Sequence, residues 1–193
     1  MSLSVLPAEH HALVAALALR DEALFFKRLA AGDLNPLQRF AWNDPDATGE
    51  DPQGPPTHPI TEHDTLLFHA AKHGCSDVAK HLLGLGEDPN HLGSSRMTAL
   101  SAFLMSAPPS QSEARTWIPT LVALLAHGAD MDRSWVVGTD GPYTARNIAR
   151  RLADRGGATW PQFVLEEWWP KEGKARHLSN RLPPAAPTVT PRF

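Results

Sequence analysis

The stretch that decides the fold is DTLLFHAAKHGCSDVAKHLLGLGEDPN, residues 64–90. It holds two short apolar segments, the first ending at Gly74 and the second at Gly86. Glycine adopts a positive φ easily and therefore often ends a helix. In the second segment Val78 and Leu82 recur at helical spacing and form an apolar stripe. The stretch predicts two short helices joined by a turn.

The end of this stretch, GLGEDPN at residues 84–90, also allows an interpretation as a phosphate-binding turn. A dinucleotide-binding fingerprint requires a preceding strand, a third glycine and a following helix. Here the preceding segment has helical spacing, and Asp88-Pro89 occupies the place of the third glycine. A helix end followed by a turn is therefore the favoured interpretation.

The same pattern returns further along the chain, which indicates an internal repeat. Thr98 follows Thr65 by about 33 residues, and the second copy is longer by about nine residues, which fit at 107–112 between its two helices. The repeat openings are Thr65–Gly74, Thr98–Leu100 and Thr144–Ala149, and the repeat closings are Val78–Asn90 and Thr120–Asp132.

These residues resemble the ankyrin repeat, with its T-P-L-H-x-A-A-x-x-G opening and its L-L-x-x-G-A-D-x-N close. The resemblance covers roughly half of the chain and implies two antiparallel helices per unit, followed by a loop or β-hairpin finger. Leu66 and Ala99 depart from it by replacing the usual proline, and Phe103 and Leu104 replace the small alanine pair. We therefore expect that helix to pack differently, within an all-α ankyrin-repeat solenoid that has divergent N- and C-terminal caps.

The chain divides into five segments by pattern and composition. They are a divergent N-terminal repeat or cap at 1–42, an acidic Pro-rich insertion at 43–63, ankyrin-like repeats at 64–157, a C-terminal capping helix at 158–169 and a basic Pro-rich tail at 170–193. In the N-terminal cap, one helix is expected to be lined by Ala12, Ala15, Ala16 and Leu19. The last repeat is expected to be covered by Trp160, Phe163 and Trp168.

Composition places the chain among ordinary globular proteins of a reducing compartment. Its 193 residues are 42% hydrophobic and 20% charged, which is typical of a soluble domain. The single cysteine, Cys75, excludes an intramolecular disulfide framework and a four-cysteine zinc site. The apolar run at 12–19 is too short to span a bilayer and lacks the basic start of a signal peptide. We expect a cytoplasmic protein with no membrane partner.

Charge is unevenly distributed although the net charge is only −3. Residues 43–64 contain no lysine or arginine but hold Asp44, Asp46, Glu50, Asp51, Glu62 and Asp64. Residues 170–193 carry five lysine or arginine side chains against Glu172 alone. An acidic loop of this kind would attract a basic partner over a distance.

Two histidines four positions apart, His69 and His73, could share a metal ion if they lie on one helix. No H-E-x-x-H arrangement is present, and no cysteine or carboxylate pair completes such a site. The ankyrin resemblance instead implies that His69, Lys72 and His73 face outward on the concave helix surface, where they would contact a partner. The D-x-D pairs at 44–46 and 130–132 could attract a cation, although Asp130 has a repeat-closing role. No metal or cofactor is expected.

The remaining candidates for chemistry are weaker. Cys75 has no evident activating partner, and neither a G-x-S-x-G motif nor a P-loop is present. The strip Arg146, Arg150, Arg151 and Arg155 could contact phosphate or an acidic partner, although a solvated helix face is the favoured interpretation. Interleaved aromatic residues are missing and the net charge is negative, so nucleic acid is not an expected partner. In the finger at 135–137, the large apolar residue Trp135 either folds back onto the core or meets a partner.

The sequence therefore predicts a non-catalytic protein–protein binding module. The expected partner is a protein, such as a basic toxin that this chain would neutralise as a bacterial immunity protein. The alternatives are an adaptor or secreted effector that binds host proteins, and an enzyme that uses 43–63 as an active-site loop. The predicted contact residues are His69, Lys72, His73, Met105 and Trp135, together with Asp44, Asp46, Glu50 and Asp51.

Overall fold

The computed structural model describes residues 8–32, 35–37, 65–93, 97–133, 137–138, 141–142, 144–155 and 159–174. These residues are helical apart from one two-residue antiparallel ladder, β1 (Val137–Gly138) with β2 (Gly141–Pro142). The α-helices are α1 (Ala8–Ala18), α2 (Glu22–Ala31), α3 (Leu66–Lys72), α4 (Ser76–Gly84), α5 (Ala99–Ser106), α6 (Gln111–Ala126), α7 (Ala145–Asp154) and α8 (Trp160–Phe163), and α8 continues into a π-helix (Val164–Gly173). The all-α fold class is confirmed, and the ladder lies in the segment where a finger was expected.

A threonine begins each of three helices in the same way. Thr65, Thr98 and Thr144 have extended backbones and precede α3, α5 and α7. In each case the hydroxyl oxygen accepts a hydrogen bond of 3.2 Å from the amide N–H three residues later. Such a cap satisfies an amide that has no partner within the helix. The three repeat openings recognised in the sequence therefore have one local structure.

Four helices are followed by a residue in the same left-handed backbone conformation. Gly74, Gly86 and Gly128 have φ values of 68°, 95° and 88°, and Arg20 takes the same left-handed conformation after α1 with φ of 56°. After each of these residues the next amide N–H donates to the carbonyl five positions back, for example Cys75 to Ala70 at 2.9 Å. This bond pattern satisfies carbonyls at the helix end. The first helix of the first hairpin, α1, therefore ends in the same way as the first helix of the second hairpin, α3.

The helices pack in two layers. In the first layer α1 contacts α3, α3 contacts α5, and α5 contacts α7. In the second layer α2 contacts α4, and α4 contacts α6. Within the hairpins α1–α2, α3–α4 and α5–α6 the two helices also contact each other, and α8 lies against α7. Consecutive helix hairpins are therefore neighbours in space.

The two repeat closings are Asx turns. The Asp88 carboxylate accepts a hydrogen bond from the Asn90 amide N–H at 2.9 Å, and Asp130 accepts one from Asp132 at 2.9 Å. The Asp130 carboxylate is thus engaged inside its own turn. This matches the repeat-closing role expected for it rather than a role in cation binding.

Side chains of these turns join one unit to the next. The Asn90 side chain donates to the Gly128 carbonyl at 2.9 Å and accepts from the Asp130 amide at 2.7 Å. One unit further on, the Asp132 carboxylate accepts from the Arg146 guanidinium at 2.7 Å. Equivalent positions in successive turns therefore each reach forward to the following element.

The extra residues of the second unit lie mainly in α6, which begins at Gln111 rather than after residue 112. The lengthened helix places Trp117 over the turn at Gly74, where a Cβ atom would lie 2.6 Å from the indole. The Arg20 guanidinium lies 5.3 Å from the centroid of the Trp117 ring. Trp117 is buried within α6. Phe103 packs 5.4 Å from the same ring, which explains how the enlarged α5 is accommodated.

The C-terminal helical segment covers the last hairpin with part of the expected set, because Trp160 is buried and Trp168 packs partly buried against the core, whereas Phe163 does not. Trp160, Leu165 and Trp169 are buried, whereas Phe163 is 58% exposed. The Trp160 indole lies 5.9 Å from the Phe103 ring and donates to the Pro108 carbonyl at 3.0 Å. Pro161 and Val164 are buried in the same segment, and Phe163 falls outside these buried positions. Helical turns also continue to Gly173, beyond the boundary predicted at residue 169.

Candidate functional site

A pocket of about 400 Å³ lies between α1 and α3, and we call it the α1–α3 pocket. It is lined by His11, Val14, Ala15, Ala18, His69, Lys72 and His73. Three of the predicted contact residues are thereby brought together at one place. The four residues from α1 were not among the predicted contacts.

Small apolar residues of α1 form one wall of the pocket. Val14 is buried, whereas Ala15 and Ala18 are exposed. Because alanine side chains end at Cβ, α1 fills little of the space beside α3. The first-layer helices therefore leave a concavity between them at these positions.

The α3 side of the pocket is polar. His69 is only 5% exposed, which corrects the expectation that its side chain faces outward. The helix α1 packs against α3, and the Phe68 ring lies 5.4 Å from the imidazole of His69. Lys72 is exposed at the rim, and His73 is partly buried beside it. Of these three predicted contacts, Lys72 is the one with an exposed side chain.

The electrostatic environment of the pocket is positive. The pKa of His73 is lowered from 6.5 to about 4, first by burial and then by the nearby charges of His69, Lys72 and Arg20, in that order. His73 is therefore neutral at pH 7 and acts as a hydrogen-bonding group. None of the seven lining residues is an aspartate or glutamate.

Two large apolar side chains are exposed on the neighbouring parts of the same layer. Leu19, directly after α1, is 74% exposed, and Met105, in α5, is 59% exposed. Met105 stands at the same distance from Thr98 as Lys72 does from Thr65. Leu19 follows α1, and Met105 lies on α5, which packs against α3. Met105 is a predicted contact residue, and its side chain is accessible to solvent.

Metal binding and nucleophilic chemistry gain no support from the described residues. Among them no group of three or more His, Cys, Asp or Glu side chains is arranged to hold a metal ion. The Cys75 thiol is 1% exposed, and burial raises its pKa to about 12, with the Glu22 carboxylate adding to the effect. A covered and protonated thiol is a poor nucleophile.

The arginine strip is partly used inside the protein. The Arg146 guanidinium pairs with Asp132 at 2.7 Å, and the Arg150 guanidinium pairs with Glu166 at 2.5 Å. The latter bond ties α7 to the π-helix. Both side chains therefore have structural partners within the protein.

The other predicted contacts, Trp135, Asp44, Asp46, Glu50 and Asp51, lie outside the described residues. The contribution of α1 could have been found in the sequence by matching Arg20 to Gly74, because this match places Ala15 and Ala18 at the positions of His69 and Lys72. That signal was missed because Arg20 does not look like a helix-ending residue.

Comparison with known proteins adds no relative: no protein-family model matches the chain, and no curated protein matches it either. Of the helices in the described ranges, none combines the length and the apolar character that crossing a bilayer requires.

Proposed function

We propose that this protein is a non-catalytic protein-binding module built as a short ankyrin-like solenoid. Three features support this architecture. The threonine caps recur at Thr65, Thr98 and Thr144, left-handed residues follow α1, α3, α4 and α6, and successive hairpins contact each other in chain order. Arrays of this kind present an extended surface made of equivalent positions in successive units.

The α1–α3 pocket, together with exposed Leu19 after α1 and exposed Met105 on α5, is the observation that supports the binding function. Large apolar side chains that stay in water next to a concavity are typical of interaction surfaces. Lys72 adds a charged group that can orient a partner. A protein partner would cover the apolar side chains and leave Lys72 at the rim of the contact.

Neutralisation of a cognate toxin is the narrower function that this proposal includes. Its support is the charge of residues 43–64, which hold six carboxylates and no lysine or arginine. Such a stretch would speed the approach of a basic protein. An adaptor that binds host proteins is the alternative, and the identity of the partner separates the two.

Co-purification from the native host, or after expression with the neighbouring gene, tests the proposal. We expect one stoichiometric protein partner, and suppression of its toxicity if the narrower function holds. Met105→Asp should abolish capture, because a desolvated carboxylate disfavours an apolar contact. Leu85→Asp is the matched control, since Leu85 is 47% exposed at the end of α4 in the second layer. A protein without partner that carries a tightly bound metal or metabolite would overturn the proposal.

A further inference from the structure

We propose that the α1–α3 pocket receives an acidic segment of the partner, with one large apolar side chain inserted between the helices and adjacent carboxylates at Lys72 and Arg20. This inference rests on the proposed binding function and specifies the chemistry of what is bound. Residues 43–64 would contact a separate, basic part of the same partner.

The shape of the pocket suits an inserted apolar side chain. Its volume of about 400 Å³ lies within the range of about 300–1,000 Å³ that is typical of ligand pockets. Val14, Ala15 and Ala18 give it an apolar wall, and the imidazoles of His69 and His73 stand opposite. An apolar side chain placed there would lose contact with water on both sides, which is favourable.

The charge of the surroundings selects an acidic segment. In the part of the chain that the structure describes, Lys72 is exposed and forms no ion pair, and no carboxylate lines the pocket. Arg20 is held in position by Trp117 at 5.3 Å and by a hydrogen bond of 3.3 Å to the Thr116 hydroxyl. The charges of both cations reach the interior, since each contributes to the lowered pKa of His73.

The orientation of α1 and α3 makes the positive charges of Lys72 and Arg20 necessary for binding a carboxylate. Both α1 and α3 end beside the pocket, at Ala18 and Lys72, and the carbonyl end of a helix carries partial negative charge. Without Lys72 and Arg20 this end would repel a carboxylate. Reversing the charge at position 72 should therefore remove the preference for acidic segments and not merely weaken it.

Selection from a phage-displayed library of random twelve-residue peptides tests the chemistry directly. Against the wild-type protein we expect enrichment of peptides that combine net negative charge with one large apolar residue. Against Lys72→Glu we expect that enrichment to disappear. Lys27→Glu is the matched control, because Lys27 is exposed on α2 in the second layer, and it should select the same peptides as the wild type.

Fluorescence anisotropy with the most enriched peptide then separates charge from shape. Lys72→Glu should weaken binding by about tenfold or more, and the wild-type affinity should fall as salt rises. Ala15→Trp, which fills the pocket from an exposed position, should abolish binding. Ala23→Trp on the exposed side of α2 should leave the affinity unchanged, and circular dichroism of each variant checks that the helices are intact.

Three outcomes would overturn the inference. They are enrichment of neutral or basic peptides, binding of the peptide to Lys72→Glu as tightly as to the wild type, and an equal loss of acidic-peptide enrichment in the Lys27→Glu control. If a partner is still captured and is lost in Met105→Asp, the binding function stands while the acidic segment is wrong. If neither a peptide nor a partner binds, both proposals fail.

Discussion

At the scale of a residue, the pKa of His73 reflects the burial and the positive charge of the α1–α3 pocket. Its neighbours are His69, Lys72 and the Arg20 guanidinium, and burial is the largest influence on it. A proton added to this ring would therefore be desolvated and would face like charges. Folding consequently disfavours the protonated form of His73.

The free energy of unfolding should fall on acidification for this reason. The pKa of His73 drops from 6.5 to about 4 on folding, so between these values the unfolded chain binds more protons than the folded one. Stability is complete above about pH 7 and declines as the pH falls from 6.5 towards 4. The contribution of His73 is roughly 1–2 kcal/mol, because the ring is partly exposed and its charge is screened.

Urea denaturation of His73→Gln and wild type across this pH range measures that contribution. The variant should show a shallower loss of stability below pH 6.5. His81→Gln, at an exposed histidine of α4, should keep the slope of the wild type. Identical slopes for His73→Gln and wild type would contradict the assignment.

The Cys75 thiol should be inert in the folded protein. It is 1% exposed, its Sγ atom lies 3.6 Å from the Leu17 carbonyl, and burial raises its pKa to about 12. We expect a thiol-specific reagent such as dithionitrobenzoate to react on the timescale of unfolding at pH 8, and at once in denaturant. Immediate stoichiometric labelling of the folded protein would show that the thiol is accessible.

The residues of the pocket could be predicted on one side only. His69, Lys72 and His73 lie in a strong repeat, so their spacing from Thr65 placed them on one helix. The N-terminal helix was assigned the stripe Ala12, Ala15, Ala16 and Leu19, but the buried residues are Leu13, Val14, Ala16 and Leu17. The segment ALVAALAL contains several apolar stripes of nearly equal quality, and periodicity cannot rank them. Packing against α3 makes that choice.

At the scale of an element, three glycines of the α3–α4 hairpin differ in backbone conformation and in the space around them, so substitutions at these sites distinguish backbone strain from steric crowding. Gly84 is helical with open space around it, Gly86 has φ of 95° and equally open space, and Gly74 has φ of 68° with Trp117 2.6 Å from a Cβ position. Each glycine ends or belongs to a helix of the same hairpin. Alanine substitution at the three sites therefore tests different physical terms.

Thermal or urea unfolding of the three variants should rank them. Gly84→Ala should stabilise the protein by about 0.5–1 kcal/mol through helix propensity. Gly86→Ala should cost about 1–2 kcal/mol because of the left-handed conformation. Gly74→Ala should cost about 3 kcal/mol or more, because α6 must also shift. Equal costs at positions 74 and 86 would mean that Trp117 yields easily.

The start of α4 depends on a distant residue. Its N-cap, Cys75, makes no side-chain cap bond, and the Glu22 carboxylate of α2 instead accepts from the amides of Asp77 at 2.7 Å and Val78 at 2.8 Å. A carboxylate at this end also complements the helix dipole. Threonine caps are visible in the sequence, whereas this cap is not, because it depends on the packing of two hairpins.

Glu22→Ala should lower the free energy of unfolding by about 1–2 kcal/mol, since two amides lose their acceptor. Chemical denaturation measures the change. Glu113→Ala is the control, because Glu113 is exposed in the first turn of α6 and also carries negative charge near a helix start. A loss of stability of the same size in both variants would mean that general charge effects, and not the cap, are responsible.

At the scale of the whole molecule, the first and third hairpins are linked directly. Arg20, between α1 and α2, contacts Trp117 and Thr116 of α6 across the turn of the second hairpin. A stack held only by neighbouring hairpins would let the first one open alone. The lengthened α6 adds a contact that such a stack lacks. The sequence did not show that the inserted residues would extend this helix.

Native-state hydrogen exchange of Arg20→Gly tests this link. Glycine keeps the left-handed backbone at position 20 but removes the guanidinium. We expect amides of α1 and α2 to exchange faster, by about 1 kcal/mol of opening free energy, while those of α5 and α6 keep their protection. Unchanged exchange in α1 and α2 would mean that the link contributes nothing to the integrity of the first hairpin.

The same link has an evolutionary consequence. Repeat proteins change length by gaining or losing whole units, which is tolerated because each unit touches only its neighbours. Here the loss of the α3–α4 hairpin, or the insertion of another beside it, would move Trp117 out of reach of Arg20 and leave an indole without its cover. We expect related chains that keep this pair of residues to keep the number of hairpins between them, and to vary in length elsewhere.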